Sequence, residues 1–133
     1  MTAPILRRIR IMCVDDHPVI RRGLAAMLAT DSKMELVAEA NSGEIAVEAY
    51  REHRPDVTLM DLDLPGITGV EATARIRKDF PGARILVMAM HADDLQILHA
   101  LAAGASGYLV KGMPMIELLA VIRRAVSQEF GEA

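Results

Sequence analysis

Short apolar runs alternate with longer amphipathic ones along the chain. Ile9-Arg10-Ile11-Met12-Cys13-Val14 predicts a strand that stops at Asp15-Asp16. Residues 19–29 then place Ile20, Leu24, Met27 and Leu28 on one helical face, opposite Arg21 and Arg22. Residues 35–40 predict a short second strand. Ser42 begins a helix with Ile45, Ala46 and Ala49 facing inward, which runs to about His53 because Pro55 forbids its continuation. Val57-Thr58-Leu59-Met60 predicts a third strand ending at Asp61. Thr68 can cap a helix through about Lys78, closed by Pro81-Gly82. Ile85–Ala89 predicts the fourth strand, and residues 93–103 a helix ended by Gly104. Gly107–Val110 predicts the fifth strand, stopped by Lys111, and Pro114 suits an early position of a last helix to about Gln128.

Five strand–helix units thus follow one another, and the strands are continuously apolar rather than alternating. Strands of that kind are buried on both faces, which predicts an α/β fold: a doubly wound parallel sheet with helices on either side. At 133 residues the chain suits one domain spanning 1–133, large enough to bury a core without disulfides. That core must be aliphatic, since aromatics are 3% of residues and Trp is absent, with nine Met as adaptable filler. The formal net charge of −3 gives no electrostatic case for the domain itself gripping nucleic acid. No apolar run follows the early arginines far enough for a signal peptide, and none is long enough to span a membrane. A single Cys cannot form an internal disulfide, which is compatible with a reducing compartment, so the expectation is a cytoplasmic protein with no membrane partner.

The conspicuous polar residues fall at strand ends. Asp15 and Asp16 end the first strand, Asp61 the third and Lys111 the fifth. In an open parallel sheet these carboxyl ends line one edge, where ligands bind. Three carboxylates gathered there would repel one another unless a cation joined them, and hard oxygen ligands suit Mg²⁺. A neighbouring lysine can neutralise a phosphoryl oxygen. Together these groups form a site for phosphoryl transfer onto an aspartate. Each also has a plainer use: Asp15-Asp16 as a helix cap, Asp61 as a turn residue, Lys111 as a solvated lysine. Cys13 reads as an inert buried thiol. His17 beside two Asp suggests a transition-metal site, but His53, His91 and His99 lack paired spacing. Arg21-Arg22, Arg75-Arg77-Lys78 and Arg123-Arg124 read as solvated helix faces.

The stretch Cys13-Val14-Asp15-Asp16-His17, with DVTLMDLDLPGITG from Asp56 to Gly69 and GASGYLVK from Gly104 to Lys111, resembles bacterial response-regulator receivers of the CheY-like fold. DDHPVIRRGL, EAT and the His two residues after the fourth strand look closest to receivers of LuxR/NarL-type transcription factors. The resemblance spans the whole chain and implies the strand order 2-1-3-4-5. It implies Asp61 as phosphoacceptor, Asp15 and Asp16 as the acidic Mg²⁺ pair, and the backbone carbonyl of Asp63 as a further ligand. Lys111 would hold the phosphoryl group, Tyr108 would be the aromatic switch, though plain packing also suits it, and Met90 would screen the site from water. A sensor histidine kinase would be the donor, with a homodimer forming on activation through the fourth helix, fifth strand and last helix. DNA would be met only through a helix-turn-helix effector domain that this chain does not contain.

One position departs from the pattern: Ala89 stands where receivers usually carry Ser or Thr. The missing hydroxyl removes a hydrogen bond to the phosphoryl group, worth roughly 1.5–3 kcal/mol when charge-assisted, so coupling between chemistry and surface is expected to weaken. Two rival functions follow. One is a receiver-shaped dimerisation module that no longer depends on phosphorylation. The other is a haloacid-dehalogenase-like phosphatase, whose nucleophile motif Asp61-Leu62-Asp63 resembles. Against the latter, that motif usually follows a first strand, Pro65 occupies its fifth position, and the length leaves no room for a cap domain. The chain is therefore expected to be a regulatory phosphoacceptor that slowly hydrolyses its own acyl phosphate, not a turnover enzyme.

Overall fold

A computed structural model describes residues 7–127. Its strands are β1 (Ile9–Val14), β2 (Met34–Ala40), β3 (Val57–Asp61), β4 (Ile85–Ala89) and β5 (Gly107–Val110). Helices α1 (Pro18–Ala29), α2 (Gly43–His53), α3 (Gly69–Asp79), α4 (Leu95–Ala102) and α5 (Met115–Val126) follow them in turn. All strand pairs are parallel and the order is β2-β1-β3-β4-β5, the doubly wound arrangement expected. The chain steps from β1 outward to β2 and then returns to β3 on the other side. That reversal leaves a crevice beyond the carboxyl ends of β1 and β3.

Helices cover both faces because every second strand residue needs burial on each. On one face Ile11, Cys13, Leu59 and Leu109 pack with Leu24 and Leu28 of α1 and Leu118, Leu119 and Ile122 of α5. On the other, Met12, Met60, Val87 and Ala89 pack with Ala46 and Tyr50 of α2, Ala72 and Ile76 of α3, and Ile97 of α4. Each fully buried side chain of Leu or Ile size contributes about 1.5–3 kcal/mol. The two clusters grip the sheet from both sides and hold its strand ends in place.

Local chemistry sets the boundaries. Ser42 caps α2 by accepting from the Ile45 amide, and Thr68 caps α3 by accepting from the Glu71 amide. The fourth helix is shorter than expected, because Asp94 rather than Asp93 caps it, accepting from the Gln96 amide. Gly104, at φ +112°, follows its end in a backbone conformation that suits glycine. Pro114 caps α5 from outside instead of sitting within it. The expected extension to Gln128 lies outside the described residues. Ile45 corrects the inward face predicted for α2: it is 49% exposed, while Ala46 and Tyr50 turn to the core. β2 gains Met34, and its register against β1 shifts between Ile11 and Met12.

Candidate functional site

The sheet brings Asp15, Asp61 and Lys111 together from three strand ends. Asp61 is the last residue of β3 and is 1% exposed; Asp15 follows β1 and is fully buried. Lys111 follows β5, and its amide donates to the Ala89 carbonyl at 2.8 Å, which fixes where its side chain starts. Its ammonium reaches Asp15 Oδ2 at 2.9 Å and Asp61 Oδ2 at 3.2 Å. One cation therefore bridges two buried carboxylates whose strands flank the crevice.

The surroundings treat the two carboxylates differently. Burial pushes the Asp61 carboxyl up to about 6, helped by the charge of Asp15, while Lys111 and the Asp63 amide partly offset the rise. Burial also opposes ionisation of Asp15. There, however, the His17 amide, the Lys111 ammonium and the His17 ring outweigh it and hold the carboxyl below its ordinary range. For Lys111, desolvation is outweighed by Asp15 and Asp61, so its ammonium is held more firmly than usual. The result is an ionised Asp15 beside an Asp61 able to exchange a proton near neutrality.

Asp16 lies beside this pair, less deeply buried. One donor atom each from Asp15, Asp16, His17 and Asp61 falls within 4.8 Å of the others. The pair does not cap α1, for which His17 is the capping residue and no side chain supplies a hydrogen bond. Instead Asp15 Oδ1 accepts from the His17 amide at 2.9 Å, and the ring Nδ1 lies 2.8 Å from the same oxygen. Asp63 sits two residues past Asp61, exposed, and its amide donates to Asp61 Oδ1 at 3.2 Å. Ala89 is buried at the end of β4, and Met90 just beyond it is exposed. Tyr108 is half-exposed on the outer strand β5. Cys13 is buried beneath the site, and desolvation pushes its thiol up to about 12, the inert state expected.

Two residues inside the quoted motifs shape the site in ways the sequence alone does not reveal. Arg21 was expected on a solvated face, but it is largely buried and donates to the Asp15 carbonyl at 2.6 Å. Its Nε lies 3.3 Å from Glu39 on β2, so it ties α1 to the ends of β1 and β2. Arg77 likewise leaves the solvated face expected of it by donating to the Ala83 carbonyl, while Arg123 stays 40% exposed and pairs with Asp31. Gly69 is the second residue: a Cβ there would stand 2.2 Å from the Asp61 carbonyl oxygen. Only a glycine lets the start of α3 pass that close to the end of β3.

A five-stranded 2-1-3-4-5 sheet with two acidic residues after β1, an aspartate ending β3 and a lysine after β5 defines a receiver-type domain. The sequence pattern of the response regulator receiver domain matches residues 11–123, and the chain belongs to that family. Among curated relatives it is 39% identical over 116 residues to the transcriptional regulatory protein DegU of Brevibacillus brevis, covering 87% of this chain and 49% of that protein. It is 39% identical over 121 residues to the oxygen regulatory protein NreC of Staphylococcus haemolyticus, covering 90% of this chain and 56% of that one. The chain thus spans about half the length of the curated relatives it matches. A crystal structure of a LuxR-family two-component response regulator from Aurantimonas sp. SI85-9A1 superposes with a TM-score of 0.86 at 41% identity, covering 91% of this chain and 86% of that one. These relatives are response regulators of the LuxR/NarL type, and receiver domains of such proteins are regulatory parts of two-component signalling.

Proposed function

We propose that Asp61 is the phosphoacceptor of a two-component signalling switch. The observation that carries this reading is Asp61 Oδ2, buried without a hydrogen-bond partner and 3.2 Å from the Lys111 ammonium. A buried carboxylate oxygen whose one close partner is a cation at 3.2 Å can accept a phosphoryl group whose charge the same cation then offsets.

The donor set also fits a divalent cation. Asp15, Asp16 and Asp61 supply hard oxygens in close array, and the buried Asp16 Oδ1 is approached by the His17 ring at 3.2 Å. Asp15, Asp16 and Asp61 would hold Mg²⁺, with the Asp63 carbonyl as the further ligand the family resemblance implies. When bound, Mg²⁺ neutralises phosphoryl oxygens and oriented carboxylates together. Asp61 Oδ2 forms the new P–O bond as the donor's bond to phosphorus, in a kinase phosphohistidine or a small acyl phosphate, breaks in line with it. Lys111 follows the transferring oxygens and offsets their charge. Asp63 and Lys111 keep the Asp61 carboxylate oriented through the amide and ammonium contacts already in place. Slow hydrolysis of the acyl phosphate then resets the site, with exposed Met90 beside the entrance limiting the approach of water.

The added charge biases the surface formed by α4, β5 and α5. Tyr108, half-exposed on β5, is the side chain placed to reorganise there, and Ala89 weakens its link to Asp61 by lacking a hydroxyl. The partners of this reading are a sensor histidine kinase, a second copy of the chain on activation, and an effector domain beyond residues 1–133 through which DNA is reached. The location of this reading is the cytoplasm; no helix among the described residues is long and apolar enough to cross a membrane. Ala89 also favours one second reading, a dimerisation module that works without phosphate.

Intact-protein mass after incubation with acetyl phosphate and Mg²⁺ tests the proposal. A gain of one phosphoryl group, abolished by Asp61→Asn and by a chelator, is expected. A folded protein that gains nothing would transfer the assignment to the phosphate-independent module.

A further inference from the structure

His17 plays no part in the chemistry above, yet it is pressed against the acidic pair. Its ring is 61% exposed, yet Nδ1 lies 2.8 Å from Asp15 Oδ1 and 3.2 Å from Asp16 Oδ1. Lys111 approaches Asp15 through the other oxygen, Oδ2, so the two basic groups do not compete for one atom. The four donor atoms of Asp15, Asp16, His17 and Asp61 lie within 4.8 Å of one another. Ligands at about 2.0–2.2 Å from one ion stand at most about 4.4 Å apart, so a small torsional adjustment places all four on a common centre. Among the described residues no other group of three or more His, Cys, Asp or Glu side chains meets that geometry. Within the cluster Asp61 is only 1% exposed and its Oδ2 is held by the Lys111 ammonium at 3.2 Å, while the buried Asp16 Oδ1 faces the His17 ring at 3.2 Å.

We propose that the His17 ring nitrogen is a metal ligand of this site, which makes it select first-row transition ions such as Co²⁺ over Mg²⁺. The inference rests on the reading of Asp15, Asp16 and Asp61 as a divalent-cation site. Carboxylates alone suit Mg²⁺, which is hard, dehydrates reluctantly and keeps several waters. An imidazole beside them changes the balance, because nitrogen donors suit the borderline ions and these dehydrate more readily. For Co²⁺ the ring stays where it is and becomes a ligand. For Mg²⁺ it covers the oxygens the ion needs and must swing outward, which its exposure permits.

Titration calorimetry of the purified chain with MgCl₂ and with CoCl₂ at pH 8, in the parent and in His17→Gln, tests this. The parent should bind Co²⁺ more tightly than Mg²⁺. His17→Gln should weaken Co²⁺ by about tenfold or more and leave Mg²⁺ binding unchanged or tighter. Pulsed EPR of bound Mn²⁺ should show a directly coordinated ¹⁴N in the parent and none in His17→Gln. Equal changes in both affinities, or the same ¹⁴N signal in both proteins, would overturn the role of His17 while leaving the oxygen site intact. If neither ion bound the parent, the divalent site itself would fall, and the proposal with it. Because His17→Gln also removes the ring's contact with Asp15 at 2.8 Å, both proteins are compared at a temperature well below either melting transition.

Discussion

Asp61 ionises less readily in the fold than in an unfolded chain, because burial and the charge of Asp15 raise its carboxyl from 3.8 to about 6. A group that binds its proton more tightly when folded makes stability fall as pH rises from about 4 through about 6. In divalent-free buffer, Asp61→Asn should therefore be more stable than the parent at pH 8, by roughly 1–3 kcal/mol, and equal to it near pH 4. Thermal melts at the two pH values check this, and a less stable variant at pH 8 would refute the burial account. Asp15 has the opposite sign: its lowered carboxyl contributes stability above the unfolded value, which is lost as pH falls. Ala89 carries a second prediction at this scale. It is buried at the end of β4, one strand from Asp61, with no polar atom to offer. Ala89→Thr should enlarge the phosphorylation-dependent change in Tyr108 fluorescence relative to the parent, and identical responses would show that the hydroxyl does not matter here. The acidic residues and the lysine were legible because a strand end can be read from local sequence. Arg21 was not, since its partners Asp15 and Glu39 lie on two strands that only the tertiary fold brings beside α1.

Among the elements, the strands followed the sequence almost residue for residue: β1, β3 and β4 are apolar runs buried on both faces, while the edge strands β2 and β5 are only partly buried. The helices were read less accurately where two neighbours could serve the same purpose. Asp93 and Asp94 can both cap, and the fold uses Asp94, which shortens α4. Ile45 fits an inward stripe by spacing, yet the small Ala46 takes the position against the sheet and Ile45 is left outside. The start of α3 shows what spacing cannot reveal. Gly69 closes the DVTLMDLDLPGITG motif with no role assigned to it, but the Asp61 carbonyl occupies the place its Cβ would need. Gly69→Ala should push α3 away from β3, with a loss of about 1–3 kcal/mol in chemical denaturation and slower phosphoryl uptake. A variant as stable as the parent would mean the junction yields more easily than the packing implies.

For the whole molecule, the two apolar clusters leave a third set of hydrophobic side chains outside. Leu95, Leu98 and Leu101 on α4 are exposed, as is Tyr108 on neighbouring β5. Spaced at 3-residue intervals, the leucines form a stripe that the fold does not use, the kind of surface another protein covers. Leu98→Glu should leave the melting temperature within about 2 °C of the parent's, as exposed substitutions usually do. It should abolish phosphorylation-dependent self-association in sedimentation velocity; unchanged association would place the contact elsewhere. The single ammonium of Lys111 has a wider consequence. Two buried carboxylates share it, at 2.9 and 3.2 Å, so any new anion at Asp61 draws on a cation already committed. The molecule would then register its signal by redistributing a fixed charge between creditors, with Asp15 losing what Asp61 gains. Resetting would need no separate device, because removing the anion returns the cation to its earlier division.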